Sequence, residues 1–341
     1  MDKKRFKGTI ISGVGGLYQV RPDFHAPNCP DELPEQVPCR ARGAFRREGV
    51  TPLPGDRVEV EEASAGADTS GAGGTGDDVS GGGYVIDAVE TRINSLCRPA
   101  LANLTHLFAV IPAARPEPDL ITADKLICLA DSKNALEPVV VVTKKDTAEE
   151  RAAALAGIYE KSGFTVFTVS SVTGEGVEEL RDYIRSCSGK GPVIAAFAGA
   201  SGAGKSTLMN RIFPGLSLAM GEVSRKISRG RHTTRASRLF CVPDIGDNCL
   251  IADTPGFSML DFTRFNLLEL EELASSFREF VPYLGSCRYR KCTHLCEDGC
   301  AVFEAVKAGK IPEQRHKSYV TIYGEISKNP KWKRKDLPTG M

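Results

Sequence analysis

Between residues 199 and 206 the chain reads GASGAGKS, the G-x-x-x-x-G-K-[ST] spacing that suits a nucleotide's phosphate chain. Gly199, Ala200, Ser201, Gly202, Ala203 and Gly204 offer a run of backbone N–H groups that a glycine-rich turn can aim at a β-phosphate, aided by the positive end of the helix that follows. Lys205 is placed to reach the β- and γ-phosphates. Ser206 would ligate Mg²⁺ through its hydroxyl, and Thr207 continues the same helical turn. Farther along, Cys287, Cys292, His294, Cys296 and Cys300 spell C-x₄-C-x-H-x-C-x₃-C, more soft or borderline donors than a four-coordinate metal needs. Three thiolates and one imidazole around a single tetrahedral Zn²⁺ are the natural use of such a set. Four thiolates with His294 outside, or a redox cluster, are the alternatives. A site filled on all sides by protein is structural.

A phosphate loop does not choose the base. The run VVVVTKKD ends in Thr143, Lys144, Lys145 and Asp146, which resembles the N-K-x-D turn of GTPases, where the carboxylate accepts both guanine N1–H and the 2-amino group. Adenine offers neither donor in that arrangement. The next apolar run ends at Ser170 and Ser171, ahead of TGEG, and resembles the small-residue loop that contacts guanine O6. CLIADTPG closes on Asp253 and Gly256, similar to the D-x-x-G motif that holds Mg²⁺ through water and senses the γ-phosphate. GTP and GDP, with Mg²⁺, are therefore the expected ligands. Ordinary GTPases run from phosphate loop to base turn; here the base turn comes first, so the order is circularly permuted. Permutation keeps the site and moves the termini. Phe257 stands where Ras-like proteins carry a water-positioning Gln, so intrinsic hydrolysis is expected to be slow.

These motifs need a scaffold, and the chain's periodicities describe one. From Phe6 to about Arg92 short β-like runs are punctuated by Gly and Pro, which predicts a small barrel or sandwich. Ala63–Gly83, with eight glycines, is too poor in apolar residues to order itself and is expected to be a mobile loop. Beyond Arg92, HLFAVIP, VVVVT, FTVFTVS, VIAAFAG and CLIADT alternate with helical segments at Leu120–Asp131, Ala148–Lys161, Val177–Arg185 and Lys205–Phe213. That alternation predicts βαβ units on a mostly parallel sheet. Thr147 and Glu150 are spaced as a capping box. After Asp261 the text is helical through LLELEELASSFREF, and a helix from Pro312 places Tyr319, Ile322, Tyr323 and Ile326 on one face. The 341 residues, 41% of them hydrophobic and carrying 44 basic against 43 acidic side chains, suffice for two or three domains and exclude a disordered or collagen-like chain. No signal peptide or membrane span is visible. An odd count of 11 cysteines suits a reducing compartment, so a cytoplasmic protein without membrane association is expected.

The whole pattern, β-rich start, permuted nucleotide motifs and Cys/His cluster, resembles the RsgA family of bacterial GTPases that depend on the small ribosomal subunit. The resemblance implies an OB-fold β-barrel over 1–92, a circularly permuted α/β P-loop GTPase domain over 93–262, and a helical zinc-binding domain with a basic tail over 263–341. It implies GTP hydrolysis stimulated by the small (30S) subunit during its late maturation, contact with 16S rRNA, and a monomer. The family's Cys/His spacing selects Cys287, Cys292, His294 and Cys300 as zinc ligands and leaves Cys296 spare. GRHTT, at 230–234, is similar to the family's switch segment, which makes His232 the candidate catalytic residue and brings Thr233 or Thr234 to Mg²⁺ and the γ-phosphate. Arg225, Lys226, Arg229, Arg231, Arg235 and Arg238 around it suit a loop ordered against RNA phosphates. Arg40, Arg42, Arg46 and Arg47, and the tail lysines around Trp332, suit an RNA platform. Thr143 replaces the family's Asn, at about 0.5–1.5 kcal/mol for a weakened hydrogen bond. The rival reading, a P-loop small-molecule kinase with an unrelated zinc module, has no need of TKKD and wants an acceptor base that the sequence does not offer.

Overall fold

The structure is a computed structural model that describes residues 4–27, 29–30, 32–47, 49–63, 83–97, 99–133, 135–216, 237–253 and 268–328. These form two compact units, one reaching to Asn103 and including Ser237–Leu239, the other running from Leu104 onward.

In the first unit, β1 (Arg5–Val14) and β2 (Leu17–Pro22) form an antiparallel hairpin, and β3 (Val37–Ala41) pairs with β2. A short helix α1 (Gly43–Arg47) leads on to β4 (Arg57–Glu62) and β5 (Tyr84–Val89). β5 pairs with both β3 and β4, and β4 returns to β1, so the five strands close into a barrel in the order 1-2-3-5-4. Of the two architectures the sequence allowed, this is the barrel, with the strand economy of an OB-fold. Alternate residues point inward, and Phe6, Ile10, Val20, Val37, Val58, Val60 and Ile86 fill it. A small hairpin of β6 (Ser95–Cys97) and β7 (Ala100–Ala102), which the sequence reading missed, follows. All but the ends of the glycine-rich stretch 63–83 lies outside the described residues.

In the second unit five strands lie parallel: β8 (His106–Pro112), β9 (Glu137–Thr143), β10 (Thr165–Thr168), β11 (Val193–Ala198) and, after β12 (Arg238–Cys241), β13 (Cys249–Asp253). Their order is β10-β9-β8-β11-β13. Because the sheet is covered on both faces, its strands read as unbroken apolar runs. Val139 and Val141 face one core with Phe197, Leu180 of α4 (Val177–Ser188) and Leu208 of α5 (Lys205–Ile212). Val140 and Val142 face the other with Ile127 of α2 (Leu120–Asp131) and Leu155 of α3 (Glu149–Lys161).

Two local expectations are corrected. Thr147 does not cap α3: Ala148 takes the N-cap position without a side-chain bond, while Thr147 closes a 3₁₀ turn over Lys145–Thr147 and its hydroxyl donates to Lys144 O at 3.0 Å. Among the described residues of LLELEELASSFREF the helix is short, Leu270–Leu273, and Phe277 and Phe280 are buried from turns instead. The final helix, Glu313–Ser327, forms as expected, with Tyr319, Ile322 and Ile326 buried and Tyr323 only partly so. The expected boundary at 262 lies outside the described residues. Among the described residues no helix is long and apolar enough to cross a membrane.

Candidate functional site

Parallel strands end together, and here their carboxyl edge collects the segments singled out in the sequence: Gly199 follows β11, Thr143 closes β9, Ser170 lies just past β10 and Asp253 ends β13. In open α/β sheets that edge is where ligands bind. The loop after β11 is shaped by its glycines. A side chain at Gly199 would put its Cβ 2.3 Å from Val110 O, so only glycine lets the chain pass β8 there. Gly202 and Gly204 take φ of +75° and +90°, and Gly204 is the N-cap of α5. The Lys205 ammonium turns back into the loop, donating to Gly199 O at 2.8 Å and Ala200 O at 2.7 Å. Burial lowers its pKa. A cation so enclosed gains most from an anionic partner in the loop. Ser206 and Thr207 are exposed on the first turn of α5.

The base turn is bound directly to this loop. Thr143, buried, donates its hydroxyl to Ala203 O at 2.6 Å. Lys144, held at φ +62°, donates to Gly202 O at 2.9 Å and also to Arg115 O. Lys145 reaches the other way to an ion pair with Glu175, whose hydrogen bond raises the lysine's pKa. Asp146 stands exposed in the turn. Ser170 is buried; its N–H donates to Glu175 O at 2.9 Å and its hydroxyl accepts from Thr173 N–H at 3.1 Å, closing the small-residue loop that begins at Ser170 and Ser171. The contributions of Arg115 and Glu175 were missed in the sequence: one acts through a backbone carbonyl and the other through an ion pair between loops, and neither leaves a spacing signature. Asp253 is placed by its backbone at the end of β13. His232, Thr233, Thr234, Gly256 and Phe257 lie outside the described residues, as do Arg225, Lys226, Arg229, Arg231, Arg235 and Trp332. Arg42 in the barrel is committed to Glu61 and Asp87.

A second constellation sits ahead of the helix Ala301–Lys307. The ligand atoms of Cys287, Cys292, His294 and Cys300 all lie within 4.8 Å of one another. Cys287 Sγ is 4.0 Å from Cys300 Sγ, and His294 Nδ1 is 3.5 Å and 3.6 Å from those two sulfurs. Tetrahedral bonds of ~2.3 Å to sulfur and ~2.0 Å to nitrogen separate two sulfurs by about 3.8 Å and sulfur from nitrogen by about 3.5 Å, so the set fits a metal of that size. Its chemistry agrees. Burial keeps the His294 imidazole neutral by lowering its pKa, and pushes the Cys292 thiol up to about 12, so the thiolates form when a cation takes their charge. Backbone N–H groups of Ala301 and Phe303 point at the sulfurs of Cys287 and Cys300, each at 3.4 Å. Cys296 is exposed and stands apart from the set. Glu297 was not anticipated. Its carboxylate accepts from the Thr293 hydroxyl and from the N–H groups of Thr293, Leu295 and Cys296. Desolvation opposes ionisation there, yet those bonds win and hold its pKa at about 2.

The comparisons with known proteins agree with this geometry. Residues 89–263 match the family model described as RsgA GTPase and residues 7–69 the RsgA N-terminal domain. The chain is 36% identical over 334 residues, 98% of its length and 100% of the relative's, to a small ribosomal subunit biogenesis GTPase RsgA of Caldanaerobacter subterraneus. It is 38% identical over 320 residues to the RsgA of Moorella thermoacetica, covering 94% of this chain and 97% of that one. Among solved structures it is similar to YjeQ from Thermotoga maritima, with a TM-score of 0.71 and 30% identity over 95% of this chain and 99% of that one. The circularly permuted GTPase YloQ matches at a TM-score of 0.68 and 28% identity, covering 96% of each chain. With the phosphate loop and base turn hydrogen-bonded at one sheet edge in permuted order, behind a closed barrel and ahead of a Cys₃His set, the chain belongs to the RsgA family of circularly permuted GTPases.

Proposed function

We propose that this protein hydrolyses GTP while bound to the small ribosomal subunit, acts in that subunit's late maturation, and is stimulated by it. The observation that carries the reading is the hydrogen bond from Thr143 to Ala203 O, which ties a turn suited to guanine to a loop suited to phosphates. A small-molecule kinase needs no such turn. In this reading Asp146 accepts from guanine, with Lys144, Lys145, Ser170 and Ser171 framing the base. Gly199 to Thr207 hold the phosphates, Ser206 ligates Mg²⁺, and Asp253 with Gly256 and Thr233 or Thr234 complete the γ-phosphate side. His232 orients or deprotonates the attacking water on the subunit.

The Cys287, Cys292, His294 and Cys300 set holds one structural Zn²⁺, supported by donor types and spacings that suit a closed tetrahedral site. The barrel to residue 92, the GTPase domain to 262 and the zinc domain beyond are the working parts, meeting 16S rRNA as a cytoplasmic monomer without membrane contact. Asp146→Asn tests the base assignment. It is expected to weaken GTP and to favour xanthosine nucleotides, whose O2 matches an amide donor. Equal affinities of the native protein for ATP and GTP would refute it.

A further inference from the structure

The helix Glu313–Ser327 carries, within two turns, side chains committed to two different places. Arg315 is completely buried. It donates from Nη1 to Asp124 Oδ1 on α2 at 2.6 Å and from Nε to Glu279 Oε1 at 2.6 Å. Its guanidinium lies over the rings of Phe277 and Phe164, at 4.6 Å and 5.3 Å. Asp124 is equally buried, and the same Oδ1 accepts from the Tyr159 hydroxyl of α3 at 3.0 Å. The arginine therefore fastens the helix to α2 and, through Asp124, to α3, and these two helices cover one face of the parallel sheet. The neighbouring side chains turn to the Cys₃His set. His316 Nε2 lies 2.8 Å from His294 O, and the Tyr319 hydroxyl donates to Thr293 O at 2.7 Å. Those carbonyls belong to the turn that presents His294 at φ +59°, a conformation an L-residue keeps only where its surroundings fix it.

We propose that this helix mechanically couples the metal site to the sheet: His316 and Tyr319 are positioning residues for the ligand His294, and Arg315 ties the same two turns to α2 and α3. The arginine has one place where its charge is matched, since Asp124 and Glu279 are both buried. A helix displaced at its metal end would pull the guanidinium from that place and leave buried carboxylates unpaired. Metal binding and the packing of α2 thus favour the same helix position, and such coupling is reciprocal. Asp124, in a stretch of chain far from all four ligands, should influence metal affinity.

The inference rests on the reading of the Cys₃His set as a metal site, and the experiment separates the two. Metal content of the purified full chain is measured first, before and after adding Zn²⁺; a chain that takes up none overturns the metal reading itself. With metal bound, backbone hydrogen exchange is compared in α2 and α4, with and without a chelator. In parallel, Co²⁺ affinity and ligand-field spectra are compared for Tyr319→Phe, His316→Gln and Asp124→Asn. Coupling predicts that metal removal speeds exchange in α2 about tenfold or more while α4 is unchanged. It predicts that Tyr319→Phe and His316→Gln weaken metal binding about 10- to 100-fold, and that Asp124→Asn weakens it about fivefold or more. Unchanged α2 exchange, equal acceleration in α2 and α4, or unchanged affinity in a folded Asp124→Asn would overturn it. The exchange comparison uses the unaltered chain and decides the matter even if Asp124→Asn does not fold.

Discussion

At position 143 a hydroxyl stands where the N-K-x-D turn of GTPases has an amide, and it reaches the phosphate loop. Its bond to Ala203 O, at 2.6 Å and out of contact with water, makes the phosphate loop and the base turn one piece. Thr143→Val preserves shape and removes the donor, leaving a buried carbonyl without it. The expected loss is about 1–3 kcal/mol of stability, read by urea unfolding, with GTP affinity falling roughly tenfold. Thr143→Ser, which keeps the hydroxyl, should retain both. Sequence showed the substitution and the residue types of the site. It did not show that Lys144 and Lys145 divide their work, one bridging to the phosphate loop and the other to Glu175, because both partners come from other loops.

Elements with one dominant demand were legible. HLFAVIP is β8 and Leu120–Asp131 is α2 to the residue, since an apolar run between two covering layers and a helix with a clear stripe leave few alternatives. Where several side chains compete, the pattern misled. Thr147 satisfies a 3₁₀ turn in place of a helix cap, and LLELEELASSFREF buries Phe277 and Phe280 against Tyr319 from turns as a helix would have from its face. The helix Glu313–Ser327 was visible in its apolar residues, but Arg315 was not, because a buried ion triad has no periodicity. Burial of that arginine makes a sharp expectation at this scale. Arg315→Ala strands Asp124 and Glu279 and should lower unfolding free energy by about 3–5 kcal/mol. Calorimetry checks it: a loss below about 1 kcal/mol, the range of exposed pairs, would mean the triad is not held as described.

Across the whole molecule, the order of motifs carried more information than any one of them. A phosphate loop alone leaves the base and the reaction open; TKKD before it and DTPG after it define a permuted GTPase, and the closed barrel and Cys₃His set agree with that frame. The Cys/His cluster was legible in its residue types and spacing, and the family resemblance singled out the four of its five donors that stand together, whereas Glu297, His316 and Tyr319, which fix the turn around them, act largely through backbone groups. Cys292→Ser should therefore lose the metal and Cys296→Ser keep it, as metal analysis of the two purified variants would show. Steady-state turnover with and without purified small subunits, GTP against ATP, at fixed salt, reads out whether the small ribosomal subunit makes GTP hydrolysis productive. The expected result is slow GTP turnover alone, a large rise with subunits that His232→Ala abolishes while nucleotide binding persists, and no response with ATP. Turnover that is indifferent to subunits, or equal for the two nucleotides, would contradict it.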